Sequence, residues 1–231
     1  MKQKLHIGRG FTLVELLVVI VIIAALAGLT APMVIRQRKK ADQTEAVNNA
    51  RQIGLAMFEF ETEYGSFPGG DTGGTVNGNT QSALTYSAAD SNGFFRQLIG
   101  AGYTQSETMF YAKIPGSKKP DGNIVGDAAI APDECGFGYI ISGTVGLSTG
   151  GNPARPYVVT PLLGATGQEF DVNPFDGKAV VLRIDNSVSS LQILPDKTVN
   201  LSPGKKLLDT GTGTVWETPA GGALSIKFPK L

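Results

Sequence analysis

FTLVELLVVIVIIAALAGLTAPMVI, residues 11–35, is the stretch on which the reading of this chain turns. Leu16 to Ile35 is 20 residues without a charge. At about 1.5 Å of rise per residue a helix of that length reaches roughly 30 Å, the thickness of a bilayer's hydrocarbon core. One membrane-spanning helix is the direct reading. The ten residues before it, MKQKLHIGRG, carry Lys2, Lys4 and Arg9 and no acid, and the residues after it carry Arg36, Arg38, Lys39 and Lys40. Three basic residues against four give no orientation by the positive-inside rule. An ordinary secretory signal cut after Ala25-Leu26-Ala27 is the alternative. Its apolar region should be about 7–15 residues and uncharged, whereas this one starts around an acid and runs well past the small-residue site.

That acid is Glu15. A lone carboxylate in an apolar helix costs about 2.5–3.5 kcal/mol at a bilayer centre and less near the interface. Two readings stay open on charge alone. The side chain snorkels to the headgroups and gains from the helix N-terminal dipole, or a cation on another chain meets it.

The residues Arg9-Gly10-Phe11-Thr12-Leu13-Val14-Glu15-Leu16 resemble the processing motif of type IV prepilins and type II secretion pseudopilins, at the glycine, the phenylalanine and the acid. The resemblance is strong over residues 8 to 68. It implies that a prepilin peptidase cuts between Gly10 and Phe11 and methylates the new amine of Phe11. It also implies assembly through the N-terminal helix, with Phe11, Glu15, Gly28 and Pro32 as the residues concerned. Pro32 cannot donate to the carbonyl of Gly28, and Gly28 is itself a poor helix former, so this stretch is where the helix would bend or melt when packed. The implied partners are copies of the chain, related pilins, the peptidase, an inner-membrane assembly platform and membrane lipids. The leader would be cytoplasmic and the remainder periplasmic. The Arg36 to Lys40 cluster is expected among lipid headgroups.

Composition narrows the chemistry. The chain has 231 residues, with 20 Lys and Arg against 20 Asp and Glu. A global electrostatic grip on nucleic acid is not indicated. One cysteine, Cys135, and one histidine, His6, exclude an internal disulfide, a Cys/His zinc site, a histidine triad and a haem ligand set. Cys135 reads as a small buried apolar residue, because no basic residue lies within fifteen positions of it. Two acidic loops are candidate calcium ligands: Asp121, Asn123 and Asp127, and Asp171, Asn173 and Asp176. Neither matches an EF-hand, and Asx residues beside glycine and proline commonly form turns. No cofactor is otherwise expected.

Of the 30 glycines, 26 lie at or after Gly65. That shift divides the chain into a leader, 1–10, a transmembrane half-helix, 11–35, an exposed half-helix, 36–64, and a loop-rich globular domain, 65–231. Val47, Ala50, Ile53, Met57, Phe60 and Tyr64 recur at helical spacing and form the stripe that faces the domain. Tyr64-Gly65-Ser66-Phe67-Pro68 ends the helix, with Gly65 as its left-handed cap. Residues 69–90 read as a polar surface loop and 92–100 as a short helix. Strands are expected over 136–142, 157–161, 179–185, 188–194 and 223–228, with Asp185-Asn186-Ser187 as a hairpin turn. The fold class is α+β, a long N-terminal helix against a C-terminal antiparallel sheet, as in pilins. The function expected is a structural, non-enzymatic subunit of a pseudopilus or type IV pilus-like filament. A minor pilin binding a ligand or surface is one alternative. A membrane-anchored hydrolase using carboxylates such as Asp133 and Glu134 is the distant one.

Overall fold

The computed structural model describes residues 11–164, 166–217 and 222–231. The chain divides into two compact units between Arg38 and Lys39. In the first, residues 13–38 are helical and the side chains from Phe11 to Arg38 are exposed. The stretch is long and apolar enough to cross a membrane.

The helix α1 runs from Leu13 to Tyr64. Within the second unit its buried residues are Ala46, Ala50, Ile53, Gly54, Ala56, Met57 and Phe60, spaced to form one face. Tyr64 stacks on Phe60 with ring centroids 4.4 Å apart. The helix stops where expected. Gly65 has φ +80° and donates its N–H to the Glu61 carbonyl at 2.7 Å. Only a residue without Cβ takes that conformation freely.

Residues 69–90 are not a continuous loop, because Thr72–Thr80 forms a second helix, α2. Three glycines in TGGTVNGNT lower its intrinsic helicity, which is why the sequence reads as loop. Tertiary contacts override that. Val76 is buried in the core, and the Thr72 hydroxyl donates to Gln97 Oε1 at 2.6 Å. The next helix, α3, spans Ser91–Gly100 and starts on Asp90, whose side chain accepts the Gly93 N–H at 2.9 Å. It buries Phe94, Phe95, Leu98 and Ile99, the apolar face read from the sequence.

A five-stranded antiparallel sheet holds β1 (Gly138–Ser142), β2 (Pro156–Thr160), β3 (Lys178–Arg183), β4 (Val188–Gln192) and, later in the chain, β7 (Leu224–Lys227). Its order is β4-β3-β2-β1-β7. Each strand lies within two residues of its expected bounds. In β1 and β2 every residue is buried, so these strands show continuous apolar runs where one exposed face would give alternation. The β3–β4 hairpin pairs Leu182 with Val188 and Lys178 with Gln192. Its turn is Asp185-Asn186-Ser187, with Asn186 at φ +61°, a conformation asparagine tolerates better than most residues. A second hairpin, β5 (Asn200–Ser202) with β6 (Lys205–Lys206), escapes the sequence reading because two or three residues cannot display a period.

Two glycines set how closely parts of the second unit approach. A Cβ at Gly54 would lie 2.0 Å from Asn186 Oδ1 and 3.1 Å from the Tyr157 hydroxyl, so α1 seats on the β3–β4 turn and on β2 only at a residue with no side chain. A Cβ at Gly146 would lie 1.9 Å from the Phe67 carbonyl oxygen. Phe67 donates its N–H to the Leu147 carbonyl at 2.8 Å, and Gly70 to that of Thr144 at 2.8 Å, so the chain leaving α1 is zipped to residues 144–147. Gly146→Ala would force two backbones apart. Overpacking of this kind costs about 1–3 kcal/mol and occasionally more. The expected outcome is a lower urea midpoint at unchanged slope, followed by the fluorescence of Trp216, the single tryptophan, which is buried.

Candidate functional site

The first turn of α1 is closed by reciprocal hydrogen bonds. Thr12 donates its backbone N–H to Glu15 Oε2 at 2.9 Å and its hydroxyl to the same oxygen at 2.7 Å. Glu15 returns its N–H to Thr12 Oγ1 at 3.2 Å. This is a capping box, in which two N–H groups at a helix start, each without an intrahelical acceptor, find partners. Its Thr-x-x-Glu signature lies inside the quoted motif, a helix-start signal that the sequence reading overlooked. Here Glu15 is neither loose nor spent: Oε2 is anchored on Thr12, and Oε1 takes no bond among the described residues. Phe11 is 78% exposed immediately before the cap. Gly10 lies outside the described residues.

Farther along, Pro32 is inside the helix and lacks the N–H that would reach the Gly28 carbonyl. A Cβ at Gly28 would meet no atom within 4 Å. The Thr30 hydroxyl donates back to the Leu26 carbonyl at 3.0 Å, a bond that bends helices slightly. The assignment stays helical across all of these residues. What the structure brings together between Leu26 and Pro32 is one helix bond fewer, one residue of low propensity and one competing hydroxyl.

The candidate calcium loops are held by turns. Asp121 Oδ1 accepts the Asn123 N–H at 2.7 Å, and Asn123 Oδ1 accepts that of Val125 at 3.2 Å. Asp171 Oδ1 accepts both the backbone N–H of Asn173, at 2.9 Å, and its side-chain amide, at 3.1 Å. Asp121 has two carboxylate neighbours that the sequence did not reveal, Glu107 and Glu134, with oxygens all within 4.8 Å of one another. Both neighbours are buried and both are committed to backbone. Glu107 accepts the N–H groups of Ile130 and of Gly122, the latter at 3.0 Å. Glu134 accepts those of Asp121 at 3.1 Å and Ala131 at 2.8 Å. Burial, and then the charge of Glu134, push the Glu107 carboxyl up from its ordinary range, while the Ile130 and Gly122 donors pull the other way. Asp133, beside Glu134 in sequence, points to Lys118 at 2.7 Å. These acids are the struts of the 121–131 loop.

Cys135 is buried, and its thiol is pushed up to about 12 by that burial. A thiol so placed is almost wholly protonated at neutral pH and a poor nucleophile.

An apolar, capped N-terminal helix joined to an α+β domain with an antiparallel sheet is a pilin-like architecture. Residues 8–31 match the family described as the prokaryotic N-terminal methylation motif. The chain is 35% identical over 65 residues to the type II secretion system core protein G of Pectobacterium carotovorum subsp. carotovorum, a match covering 28% of this chain and 42% of that protein. It is 41% identical over 58 residues to the protein of the same name from Escherichia coli K12, covering 24% and 40%. To the fimbrial protein EcpC of Eikenella corrodens it is 33% identical over 92 residues, covering 38% and 60%. The chain thus spans between two fifths and three fifths of these relatives' length. No solved structure matches it.

Proposed function

We propose that the mature chain is a structural subunit of a pseudopilus or type IV pilus-like filament, released from its leader by a prepilin peptidase and assembled through α1. The observation that carries this reading is the methylation motif over residues 8–31, with Glu15 as the one charge between Phe11 and Ile35. Cleavage after Gly10 leaves a cationic amine on Phe11, four residues from Glu15. In a filament of parallel helices, Glu15 of one subunit meets the Phe11 amine of a neighbour, and two poorly solvated ions become a charge-assisted pair. The pairing sets a stagger between neighbours. The 26–32 stretch supplies the compliance that packing needs. Before assembly α1 anchors the subunit in the inner membrane, with the leader cytoplasmic and the domain periplasmic, in reach of an assembly platform and related pilins.

Processing gives the direct test. Protein purified from membranes should begin at N-methylated Phe11 by intact-mass and terminal peptide analysis. A terminus at Gly28, following Ala25-Leu26-Ala27, would make the apolar segment an ordinary signal and remove the basis of the proposal.

A further inference from the structure

We infer that the exposed C-terminal face of α1 docks the basic segment 35–40 of a second copy, with Glu59 and Glu63 taking Arg36 and Lys40 of that copy. The inference rests on the filament reading above and names a contact beyond the Phe11–Glu15 pair. Between Gln52 and Phe95 the chain has five acids and no base. Three of those acids, Glu59, Glu61 and Glu63, lie in the last two turns of α1, and the last turn holds no basic residue. This is the negative end of the helix dipole, where carboxylates are disfavoured and cations are stabilised. None of the three is in a salt bridge among the described residues. The nearest base along the helix, Arg51, stands eight residues before Glu59, about 12 Å of rise.

Two of these acids are oriented by the domain. Glu63 Oε2 accepts the Tyr103 hydroxyl at 2.5 Å, and Glu61 Oε1 accepts the Thr149 N–H at 2.7 Å and its hydroxyl at 3.0 Å. Glu59 is exposed. Two open clefts flank the ridge at Thr62. One, of about 410 Å³, is lined by Phe58, Glu61, Gly65 and Thr149, and the other, of about 470 Å³, by Glu59, Glu63 and Tyr103. Leu55, one turn earlier on the same stripe, is 55% exposed. The face is thus apolar and then acidic.

The complement is present in the same sequence. Ile35, Arg36, Lys39 and Lys40 repeat the spacing of Phe58, Glu59, Thr62 and Glu63, with an offset of 23 residues at every position. With the two segments parallel at that offset, the second copy's Ile35 meets Leu55 and Phe58, its Arg36 meets Glu59 and its Lys40 meets Glu63. Arg36, Arg38, Lys39 and Lys40 form no salt bridge among the described residues. In a membrane such cations face lipid phosphates, and a subunit drawn into a filament leaves those phosphates behind. The neighbour's carboxylates take their place. The offset of the Phe11–Glu15 pair is four residues, so the two contacts join different neighbours. A contact between two different patches of one chain, repeated from copy to copy, extends a filament where a self-complementary patch would close a dimer.

The test measures sheared filament against total processed protein in cells that assemble the full chain. Glu59→Lys with Glu63→Lys places like charges in the contact and should lower the yield about tenfold or more, as should Arg36→Glu with Lys40→Glu. All four substitutions in one chain should restore it to within about threefold of wild type, because the pairs re-form with their signs exchanged. Cross-linking reads the geometry directly. On oxidation, Lys40→Cys with Glu63→Cys should give a ladder of disulfide-linked copies from filaments and none from detergent-solubilised subunits. Lys40→Cys with Asn48→Cys, both exposed on the same helix, should give no ladder from either. Filaments without the 40–63 ladder, or a fourfold variant no better than either pair, would overturn the inference while leaving the filament reading intact. A wild-type chain that is processed and forms no filament would instead overturn the reading on which the inference stands.

Discussion

Glu15→Ala abolishes filament formation while leaving membrane insertion and removal of the leader intact; that is the expected result with the largest effect. Insertion is favoured because the span loses its only charge, and the Gly10-Phe11 junction is untouched. Assembly fails because the neighbour's Phe11 amine enters the bundle unpaired, and breaking a buried pair costs about 3–5 kcal/mol. The capping box adds a second loss, since Thr12 forfeits the acceptor of its N–H and hydroxyl. Thr12→Ala separates the two contributions. It keeps the charge and the backbone N–H bond to Oε2 but removes the hydroxyl that donates to Oε2 and accepts the Glu15 N–H, a loss of about 0.5–2 kcal/mol, so filament yield should fall without vanishing. Sheared filament measured against total processed protein gives both values. Full yield from Glu15→Ala would mean that the carboxylate merely snorkels.

The second large effect is expected at Glu107, in the globular domain. Glu107→Ala leaves the N–H groups of Ile130 and Gly122 without their acceptor; Gly122 is exposed and water can replace it there, whereas the unsatisfied donor of buried Ile130 costs about 1–3 kcal/mol. A loss of about 1–3 kcal/mol follows, with the 121–131 loop opening first in hydrogen exchange. Glu107→Gln keeps one acceptor but turns an amide N–H toward the other donor, so it should recover only part of the loss. The pH dependence then has a definite sign. The native carboxyl is raised above its ordinary 4.5, so the native state binds a proton that the unfolded chain does not. Stability owed to this group is complete below about 4.5 and is lost as pH rises through the native value. The stability gap between wild type and Glu107→Gln should therefore widen in favour of wild type as pH is lowered from 7 toward 4.5. A gap that narrows over the same range would show that the carboxylate is better stabilised by its donors than it is penalised by burial.

Why these residues differ in legibility is a matter of range. The uncharged run from Leu16 to Ile35, the Gly65 cap and the Asp185-Asn186-Ser187 turn are local, so composition and spacing carry them. β1 and β2 were legible as apolar runs, though not as strands covered on both faces, because coverage is a property of what packs on them. α2 was illegible for the opposite reason: its local preference points away from helix, and only Val76 and the Thr72–Gln97 bond decide it. The grouping of Glu107 with Asp121 and Glu134 needs a chain reversal across 27 residues, which no periodicity announces. Glu15 stood out because a charge in an apolar run is an anomaly at any range. The capping box at that very spot passed unnoticed, since the same carboxylate invited an explanation by its charge before one by its spacing.

The position of β7 bears on the order in which the molecule can be completed. It pairs with β1, matching Tyr139 with Lys227 and Ser142 with Leu224, although some eighty residues separate the two in the chain. Phe228 then accepts the Ser91 N–H, and Lys230 both donates to Asn92 and accepts from Asp133. While the polypeptide is being made, β1 and the start of α3 thus wait for residues 224–230, and Ile53, Met57 and Phe60 of α1 are synthesised before any strand that could cover them. Such long-range closure slows folding. A nascent chain stalled before Leu224 would display β1 as an open edge, the kind of surface on which chains stick to one another.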